Sequence, residues 1–364
     1  MRVLRHGGLV AAFCAWAGVA GALDSSAGAL SVSTVADGLE EPWAIGFLPG
    51  GGVLVTERAG RLKLVENGQV AEVAGVGEVQ ARGQGGLLDV LVPRDFAQTR
   101  TLFFSYSKPQ DDGAGTAVAK AQLSPDGARL SQWEVIFEME PGSRGGRHFG
   151  SRIVEAPDGT LFVTVGERGD RPSAQDLSRE NGSVVHITKD GAVPPENPFV
   201  DQEGAQPEIW SYGHRNAQGA ALDASGQLWV VEHGARGGDE VNRVEKGANY
   251  GWPVISYGVH YSGGKIGEGT HKEGMEQPVH YWDPSIAPSG MMIYSGKLWP
   301  EWEGDFFVGS LKFNMISRLS GDPLEEVERI DGPETLRVRD IREGPEGAIW
   351  FLSVGEGALY QVTP

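Results

Sequence analysis

One unit recurs along the whole chain: a glycine or polar turn is followed by a short strand of aliphatic, β-branched and aromatic residues. Its six copies begin at residues 52, 101, 159, 226, 304 and 347. A further short strand follows each copy, so each unit predicts part of an antiparallel sheet. The copies lie 43 to 78 residues apart, which suits propeller blades with inserted loops better than a sandwich, whose strands recur about every 8–12 residues. We therefore predict an all-β fold, a six-bladed β-propeller.

Composition supports this prediction and excludes several classes of protein. Glycine supplies 54 of the 364 residues, about twice its ordinary share, which disfavours a helical bundle or coiled coil. The 40% of hydrophobic residues and the ten tryptophans are enough for a large packed core, so the chain is not globally disordered. A formal net charge of -18 repels phosphate backbones and anionic lipid, which argues against nucleic acid as a partner.

The N-terminus has the pattern of a signal peptide. Basic residues at positions 2, 5 and 6 precede an apolar run over 9–19 that is too short to span a bilayer. Small residues then allow cleavage after Ala22, with Ala29 as a second option. A buried N-terminal helix is the alternative. We predict a signal peptide over 1–22 and a single propeller domain over 23–364.

Two expectations follow from this segment. Cys14 is the only cysteine, so it leaves with the signal and the mature protein contains no disulfide. No later stretch is long and apolar enough for a transmembrane helix. We expect an exported protein located in the periplasm, with secretion as the alternative, and a monomer or homodimer.

The longest insertions between repeats are predicted over 165–220 and 231–300, and long loops of a compact domain commonly carry function. His148 lies just upstream, among glycines, where an accessible imidazole is suited to act as a general base. Glu167 follows the next strand and could orient that imidazole by accepting its second N–H. The alternatives are a structural histidine and a solvated turn.

Arg215 and Asn216 place a cation beside an amide donor, a pair suited to an oxygen-rich, electron-accepting ligand. A surface ion pair is the alternative for Arg215, and we expect His214 to be structural. The adjacent carboxylates Asp239 and Glu240 lie in a glycine-rich loop whose carbonyls could bind a hard cation such as Ca²⁺, although the pattern is not that of an EF-hand.

A late basic group stands out in this acidic chain. It consists of Lys312, Arg337 and Arg339, and on one strand the two arginines would project to the same face. Two guanidinium groups on one face could bind a polycarboxylate, whereas exposure on an outer strand is the alternative. The chain contains neither a P-loop nor a nucleotide-binding GxGxxG within a βαβ unit, so nicotinamide or nucleoside triphosphate use has no support.

Taken together and in order, these segments resemble the soluble quinoprotein aldose sugar dehydrogenases, the family that includes soluble pyrroloquinoline quinone (PQQ) glucose dehydrogenase. The resemblance runs from about residue 38 to the C-terminus. It rests on the segments 83–89, 148–150, 174–177, 213–216, 237–242, 249–253, 282–290 and 337–340.

The resemblance implies a six-bladed propeller with long functional loops, and with PQQ and Ca²⁺ bound over the central channel. It implies His148, Arg215 and Glu167 as catalytic residues and Gln175 at the substrate. The implied cofactor shell is Gln84, His148, Arg215, Asn216, Ser285, Lys312, Arg337 and Arg339. The implied metal ligands are the carbonyls of Gly234 and Ala235 for the catalytic Ca²⁺, and Glu240 and Tyr250 with Asp239 for a second, structural Ca²⁺. Glu167 and Ala235 depart from the Asp and Pro common in relatives.

The implied reaction oxidises an aldose at its anomeric carbon to the lactone, with hydride passing to PQQ and His148 as general base. An external electron acceptor is then required. The alternatives are a Ca²⁺-dependent lactonase on a six-bladed propeller and a non-catalytic carbohydrate-binding propeller. The basic group discriminates, because a lactonase has no evident use for Lys312, Arg337 and Arg339, and a binding module needs no His148.

Overall fold

A computed structural model describes residues 21–364, whose regular secondary structure is almost entirely β-strand. Within this range, 25 strands form six antiparallel sheets, five of four strands and one of five. The helical segments are one short turn, α1 (Phe96–Thr99), and 3-10 turns at Arg171–Gln175, Pro300–Trp302 and Pro333–Thr335. The predicted all-β, six-bladed propeller is confirmed.

The sheets follow one another along the chain as blades 1 to 6. Blade 1 contains β3 (Pro42–Phe47), β4 (Val53–Glu57), β5 (Arg61–Glu66) and β6 (Gln69–Val73). Blade 2 contains β7 (Leu87–Leu91), β8 (Thr101–Gln110), β9 (Gly113–Leu123) and β10 (Leu130–Glu138). Blade 3 contains β11 (Gly150–Glu155), β12 (Leu161–Val165), β13 (Ser183–Ile187) and β14 (Ile209–Tyr212). Blade 4 contains β15 (Ala217–Leu222), β16 (Leu228–Glu232), β17 (Asp239–Arg243) and β18 (His280–Trp282).

Blade 5 contains β19 (Pro288–Ile293), β20 (Phe306–Ser310), β21 (Met315–Ser320) and β22 (Glu325–Asp331). Blade 6 joins the two ends of the chain: β23 (Val338–Glu343), β24 (Ile349–Ser353) and β25 (Ala358–Thr363) pair with β2 (Gly28–Ala36), and β2 pairs with β1 (Gly21–Ser25). Because Val32 of β2 lies opposite Val362 of β25, main-chain hydrogen bonds close the ring of blades.

All six sequence repeats coincide with the second strand of a blade, namely β4, β8, β12, β16, β20 and β24. The first strands β3, β7, β11, β15, β19 and β23 contact one another in a closed ring around the central axis. Apolar side chains pack between neighbouring sheets, and the repeated apolar strand supplies them; Leu54, Phe104, Val163, Val230, Phe307 and Phe351 are buried. The repeat therefore marks the strand whose apolar side chains pack between neighbouring blades.

The predicted insertions over 165–220 and 231–300 contain regular blade strands as well as loops. The long connections themselves are 166–182, 188–208 and 244–279. The predicted signal peptide over 1–22 lies almost wholly outside the described residues and stays a prediction; both candidate cleavage positions fall in or next to the β1–β2 hairpin. Among residues 21–364, no helix is long and apolar enough to cross a membrane.

Every first strand carries a β-bulge close to its start. The register shifts lie between Pro42 and Ala44, Leu87 and Val90, Gly150 and Ile153, Ala217 and Gly219, Pro288 and Met291, and Val338 and Asp340. A bulge bends a strand and changes the direction of the side chains around it. The six bulges therefore shape one end of the central channel.

Four charged side chains, three of them buried, bridge the first strands near the axis. Arg152 of blade 3 has its Nη1 3.0 Å from Asp89 Oδ1 of blade 2 and 3.2 Å from Asp340 Oδ1 of blade 6. Arg342 of blade 6 also contacts both carboxylates, at 2.9 and 3.0 Å. Asp340 accepts the N–H of Ile45 in blade 1. Blade 5 approaches these charges at Gly290, where a Cβ atom would lie 2.3 Å from Asp340 Oδ1. So close an approach of the main chain requires glycine.

We expect Arg152→Ala to lower the free energy of unfolding by about 3–5 kcal/mol, because it removes the buried counter-charge of Asp89 and Asp340 and leaves only Arg342 to pair with them. Urea denaturation of the purified protein measures the change. Arg329→Ala is the matched control: Arg329 pairs with Glu326 at the surface, and loss of such a pair costs about 1 kcal/mol or less. Equal effects of the two substitutions would contradict a structural role for the axial charges.

Candidate active site

A cavity of about 1060 Å³ lies over one end of the central channel. Its walls come from two kinds of position: residues at or just before the first strands, such as Gln84 and Asn216, and residues just after the second strands, such as Gly234 and Lys312. The propeller brings these positions together from every part of the chain. Eight of the predicted site residues line it: Gln84, Asn216, Gly234, Ala235, Ser285, Lys312, Arg337 and Arg339.

His148 and Glu167 meet beside this cavity. His148 immediately precedes the segment that becomes β11, and its backbone N–H donates to Gln84 Oε1 at 2.7 Å. Its Nδ1 lies 2.9 Å from Glu167 Oε1, but the N–H direction is too far off line for a well-formed hydrogen bond. Such catalytic contacts are often misaligned in free enzymes and tighten when substrate binds. The two residues of the predicted pair, His148 and Glu167, therefore lie within contact distance.

The electrostatic surroundings keep His148 neutral at pH 7. Burial lowers the pKa of His148 below its ordinary value; the contact with Glu167 raises it, and the Arg215 charge lowers it further. Burial opposes ionisation of Glu167, but the contact with His148, the N–H of Gly169 and the charge of Arg215 together outweigh burial, so the pKa of Glu167 is lowered. A neutral imidazole beside a carboxylate has the protonation states that a general base requires.

Arg215 lies between His148 and the 233–235 loop. Its side chain is 5% exposed, its Nη1 donates to the carbonyl of His233 at 3.1 Å, and its guanidinium lies 5.2 Å from the ring centre of Trp252. Its Nε has no partner. Asn216, next to it, accepts the N–H of Gly150 at 3.1 Å, which ties blade 4 to the start of β11.

The three cations of the basic group come together, but not because the two arginines share one strand. Arg339 lies on β23, whereas Arg337 precedes that strand with a φ of 53°, so the expectation that both sit on one strand is wrong for Arg337. Arg337 Nη1 donates to the carbonyl of Leu311 at 3.1 Å, and Lys312 Nζ donates to that of Ser285 at 3.1 Å. Burial, then the charges of neighbouring arginines, lower the pKa of Arg339 to about 9.

These three cations have no carboxylate partner. Among residues 21–364, no Asp or Glu oxygen lies within 4.0 Å of the charged nitrogens of Lys312, Arg337 or Arg339. Arg339 instead donates to Gln218 Oε1 at 2.6 Å. In a chain with 49 acidic residues, a group of unpaired cations around one cavity fits an anionic ligand.

Asp239 organises the proposed metal loop. Its Oδ1 accepts the N–H of Gly234 at 2.8 Å, and its Oδ2 accepts the Ser285 hydroxyl at 2.6 Å and the N–H of Ala287 at 2.8 Å. Adjacent residues of a strand point to opposite faces. Asp239 therefore holds the 234–235 loop against the 285–287 segment and does not line the smaller cavity that contains Glu240.

That smaller cavity measures about 10 Å³, the room for one water or one ion. Its walls include Glu232, Glu240 and Tyr250. Burial and the charge of Glu232 raise the pKa of Glu240 to about 8. The Tyr250 hydroxyl donates to the carbonyl of Arg243 at 2.5 Å, so its phenol is used in holding the loop.

Gln175 differs from expectation. Its amide exchanges two hydrogen bonds with Asn249, at 2.8 and 2.9 Å, and donates to the carbonyl of Trp252 at 2.9 Å. Gln175 does not line the large cavity. The structure thus gives it a part in holding the 249–252 segment under Arg215, and its contact with substrate stays a prediction.

Sequence reasoning overlooked several residues of the site. Trp43 lines the cavity with Arg339 5.7 Å from its ring centre, and its only signal was the Glu-Pro-Trp segment before β3. His233 also lines it, and burial lowers the pKa of His233 to about 3. Tyr261, from the 244–279 connection, lies on the wall and is 71% exposed. Glu232 lines the small cavity, and its carboxylate accepts a hydrogen bond from the backbone N–H of Arg215 at 2.6 Å.

Comparisons with known proteins agree with this architecture. The aldose sugar dehydrogenase YliI of Escherichia coli (strain K12) is 43% identical over 353 residues, which cover 94% of this chain and 95% of the relative. The solved apo-form of the soluble aldose sugar dehydrogenase from Escherichia coli has a TM-score of 0.88 and 43% identity, covering 92% of this chain and 99% of that one.

A second similar structure is the PQQ-bound form of an aldose sugar dehydrogenase from Streptomyces coelicolor. Its TM-score is 0.74 at 26% identity, over 92% of this chain and 97% of that one. Residues 39–361 match the Glucose / Sorbosone dehydrogenase family, which is nearly the whole propeller. The chain is therefore a member of the Glucose / Sorbosone dehydrogenase family.

Proposed function

We propose that this protein is a PQQ- and Ca²⁺-dependent aldose sugar dehydrogenase, which oxidises an aldose at its anomeric carbon to the lactone. The names of its relatives support the reaction class, since two of them are aldose sugar dehydrogenases and one was solved with PQQ bound. The observation that carries the proposal is the set of unpaired cations around a deep cavity in an otherwise acidic protein.

The residues present fit the cofactor. PQQ is a planar tricarboxylate, and Lys312, Arg337 and Arg339 line a cavity of about 1060 Å³ without an acidic partner. Charge-assisted hydrogen bonds to carboxylates are the strong use of such groups. Gln84, Asn216 and Ser285 add polar groups to the same walls.

The residues also fit calcium at two places. Gly234 and Ala235 contribute loop backbone to the large cavity, and Asp239 holds that loop in position. At the small cavity, Glu232 and Glu240 place two carboxyl groups on the walls of a space for one ion. Burial and the charge of Glu232 together raise the pKa of Glu240. Oxygen-rich sites with a carboxylate are the sites that Ca²⁺ prefers. We assign Glu240 and Tyr250 to this structural site, and Asp239 to the loop.

When bound, PQQ with Ca²⁺ supplies an electrophilic carbonyl that accepts the hydride leaving the anomeric carbon. His148 takes the proton of the anomeric hydroxyl, because it is neutral at pH 7 and lies beside the cavity. Glu167 holds the imidazole and stabilises its protonated form. Arg215 stabilises negative charge on the ligand oxygens. We further propose export to the periplasm and reoxidation by an external electron acceptor.

The decisive experiment reconstitutes the apo-protein. We expect dye-linked oxidation of aldoses only when PQQ and Ca²⁺ are added together, measured against a panel of mono- and disaccharides. Lactone hydrolysis with Ca²⁺ alone would favour the lactonase, and sugar binding without turnover would favour a binding propeller. Either result, or activity with a nicotinamide cofactor, would overturn the proposal.

Catalysis and cofactor binding are expected to separate by mutation. His148→Gln should lower turnover by about 10²–10⁴-fold, the usual contribution of a positioned base, with little change in PQQ affinity. Arg337→Ala or Arg339→Ala should weaken PQQ binding by about 1.5–3 kcal/mol, and activity should largely return at saturating PQQ. Single-turnover kinetics and PQQ titration measure the two effects. If His148→Gln kept near-parent turnover, the assignment of His148 as the general base would be wrong.

The pH profile tests the pairing of Glu167 with His148. A base must be deprotonated, so kcat/KM should fall as the pH drops through the pKa of His148, which burial lowers below 6.5. Glu167 raises that pKa, so Glu167→Gln should move the acidic limb to lower pH, besides reducing kcat. Glu325→Gln, an exposed carboxyl on β22, is the control. An unmoved limb in Glu167→Gln would contradict the pairing.

A further inference from the structure

A second group of ligating side chains lies on blade 3, far from the cavity. Asp158 is in the turn between β11 and β12, His186 is on β13, and Glu196 is in the 188–208 connection. One nitrogen and two carboxylate oxygens from these residues all lie within 4.8 Å of one another. Since β11 begins beside His148 and ends before the Asp158 turn, the group lies at the opposite end of the blade from the candidate active site.

Hydrogen bonds determine which nitrogen of His186 carries its proton. The Asn197 amide nitrogen donates to the carbonyls of His186 and Pro207, at 2.9 and 3.0 Å. The Asn197 Oδ1 must therefore face His186 Nδ1, which is 2.7 Å away. An acceptor at that distance requires a proton on Nδ1, so Nε2 has a free lone pair. This is how a second partner prepares a histidine to bind a metal.

The Nε2 side of the ring faces the Thr160 hydroxyl and two carboxylates that no cation of the described chain neutralises. Thr160 Oγ1 lies 2.7 Å from His186 Nε2 and 2.6 Å from Asp158 Oδ1. Both atoms are acceptors, but a hydroxyl has one proton to donate. Asp158 Oδ1 also accepts the N–H of Thr160 at 3.0 Å, so the hydroxyl proton is available to Nε2, and the Glu196 carboxylate is close by. Among residues 21–364, no Lys or Arg lies within ion-pair distance of Asp158 or Glu196; Lys246 shares a surface depression with Glu196 but does not reach it.

The imidazole is rigid, whereas the carboxylates are open to solvent. The His186 side chain is 3% exposed. Its ring stacks on Phe162 with centres 4.5 Å apart and meets the edge of Trp210 at 4.9 Å. Asp158 and Glu196 are exposed. A fixed nitrogen with two accessible oxygens needs little ordering to bind an ion and leaves room for water as a further ligand.

We propose that Asp158, His186 and Glu196 form a binding site for a divalent transition-metal ion, with Zn²⁺ as the representative ion. Imidazole nitrogen and carboxylate oxygen together suit zinc rather than calcium, which takes oxygen ligands alone. The ion would join the β11–β12 turn, strand β13 and the 188–208 connection. It would therefore stabilise blade 3 and take no part in the chemistry at His148.

The test uses the exported chain without a polyhistidine tag, stripped of metal and then saturated with Ca²⁺ to fill the calcium sites. We expect isothermal titration with Zn²⁺ at pH 7.5 to show one ion per chain, and the melting temperature to rise with Zn²⁺. The double variant Asp158→Asn/Glu196→Gln should lose at least about 10-fold in affinity, since even outer partners of a metal contribute that much. Its melting temperature should no longer respond.

The control is Asp201→Asn/Glu203→Gln, which removes the same charge from exposed positions of the same connection and should bind Zn²⁺ as the parent does. All substituted positions are exposed, so the variants should fold, which circular dichroism verifies. The proposal is overturned if the parent binds no Zn²⁺ in excess Ca²⁺. It is equally overturned if the two double variants show the same affinity and the same thermal response.

Discussion

The buried charges at the propeller axis are the constraint on which the site depends. Arg152 and Arg342 each contact Asp89 and Asp340, which belong to different blades. A buried pair is worth little over an apolar replacement, but a broken pair is costly. The contacts therefore favour one arrangement of the first strands around the axis. That arrangement determines the position of each residue at the start of a first strand.

The active-site end of the channel follows from strand starts and bulges. Gln84 precedes β7, His148 precedes β11, and Asn216 precedes β15, each just before a bulge. The residues that follow the second strands, such as Gly234 and Lys312, complete the walls. One geometric rule, repeated in each blade, thus converts residues scattered over more than 250 positions into a single cavity.

The basic group at the cavity has a charge opposite in sign to the net charge of the chain. A net charge of -18 keeps the outer surface acidic, yet the cavity holds Lys312, Arg337 and Arg339 without acidic partners. No carboxylate in the described part of the chain neutralises these cations, so their charge is available for binding an anion. Close by, burial keeps His148 neutral. Binding charge and proton transfer are consequently carried by different residues.

Sequence by itself determined the fold class and most of the cavity. The turn-plus-strand repeat marks the second strand of every blade because those residues must be apolar to pack between sheets. The family resemblance carried by the ordered motifs implied Gln84, His148, Arg215, Ser285 and the basic group as site residues, because the order of the motifs along the chain is readable.

Only the tertiary structure decided which of these residues meet. Arg337 reaches Arg339 through a left-handed turn rather than strand alternation, Gln175 pairs with Asn249, and Asp239 and Glu240 serve different cavities. The cluster of Asp158, His186 and Glu196 carries no motif at all. Periodicity reports which face a residue occupies, whereas contacts between blades depend on bulges, loop paths and ring closure, which couple positions far apart in the chain.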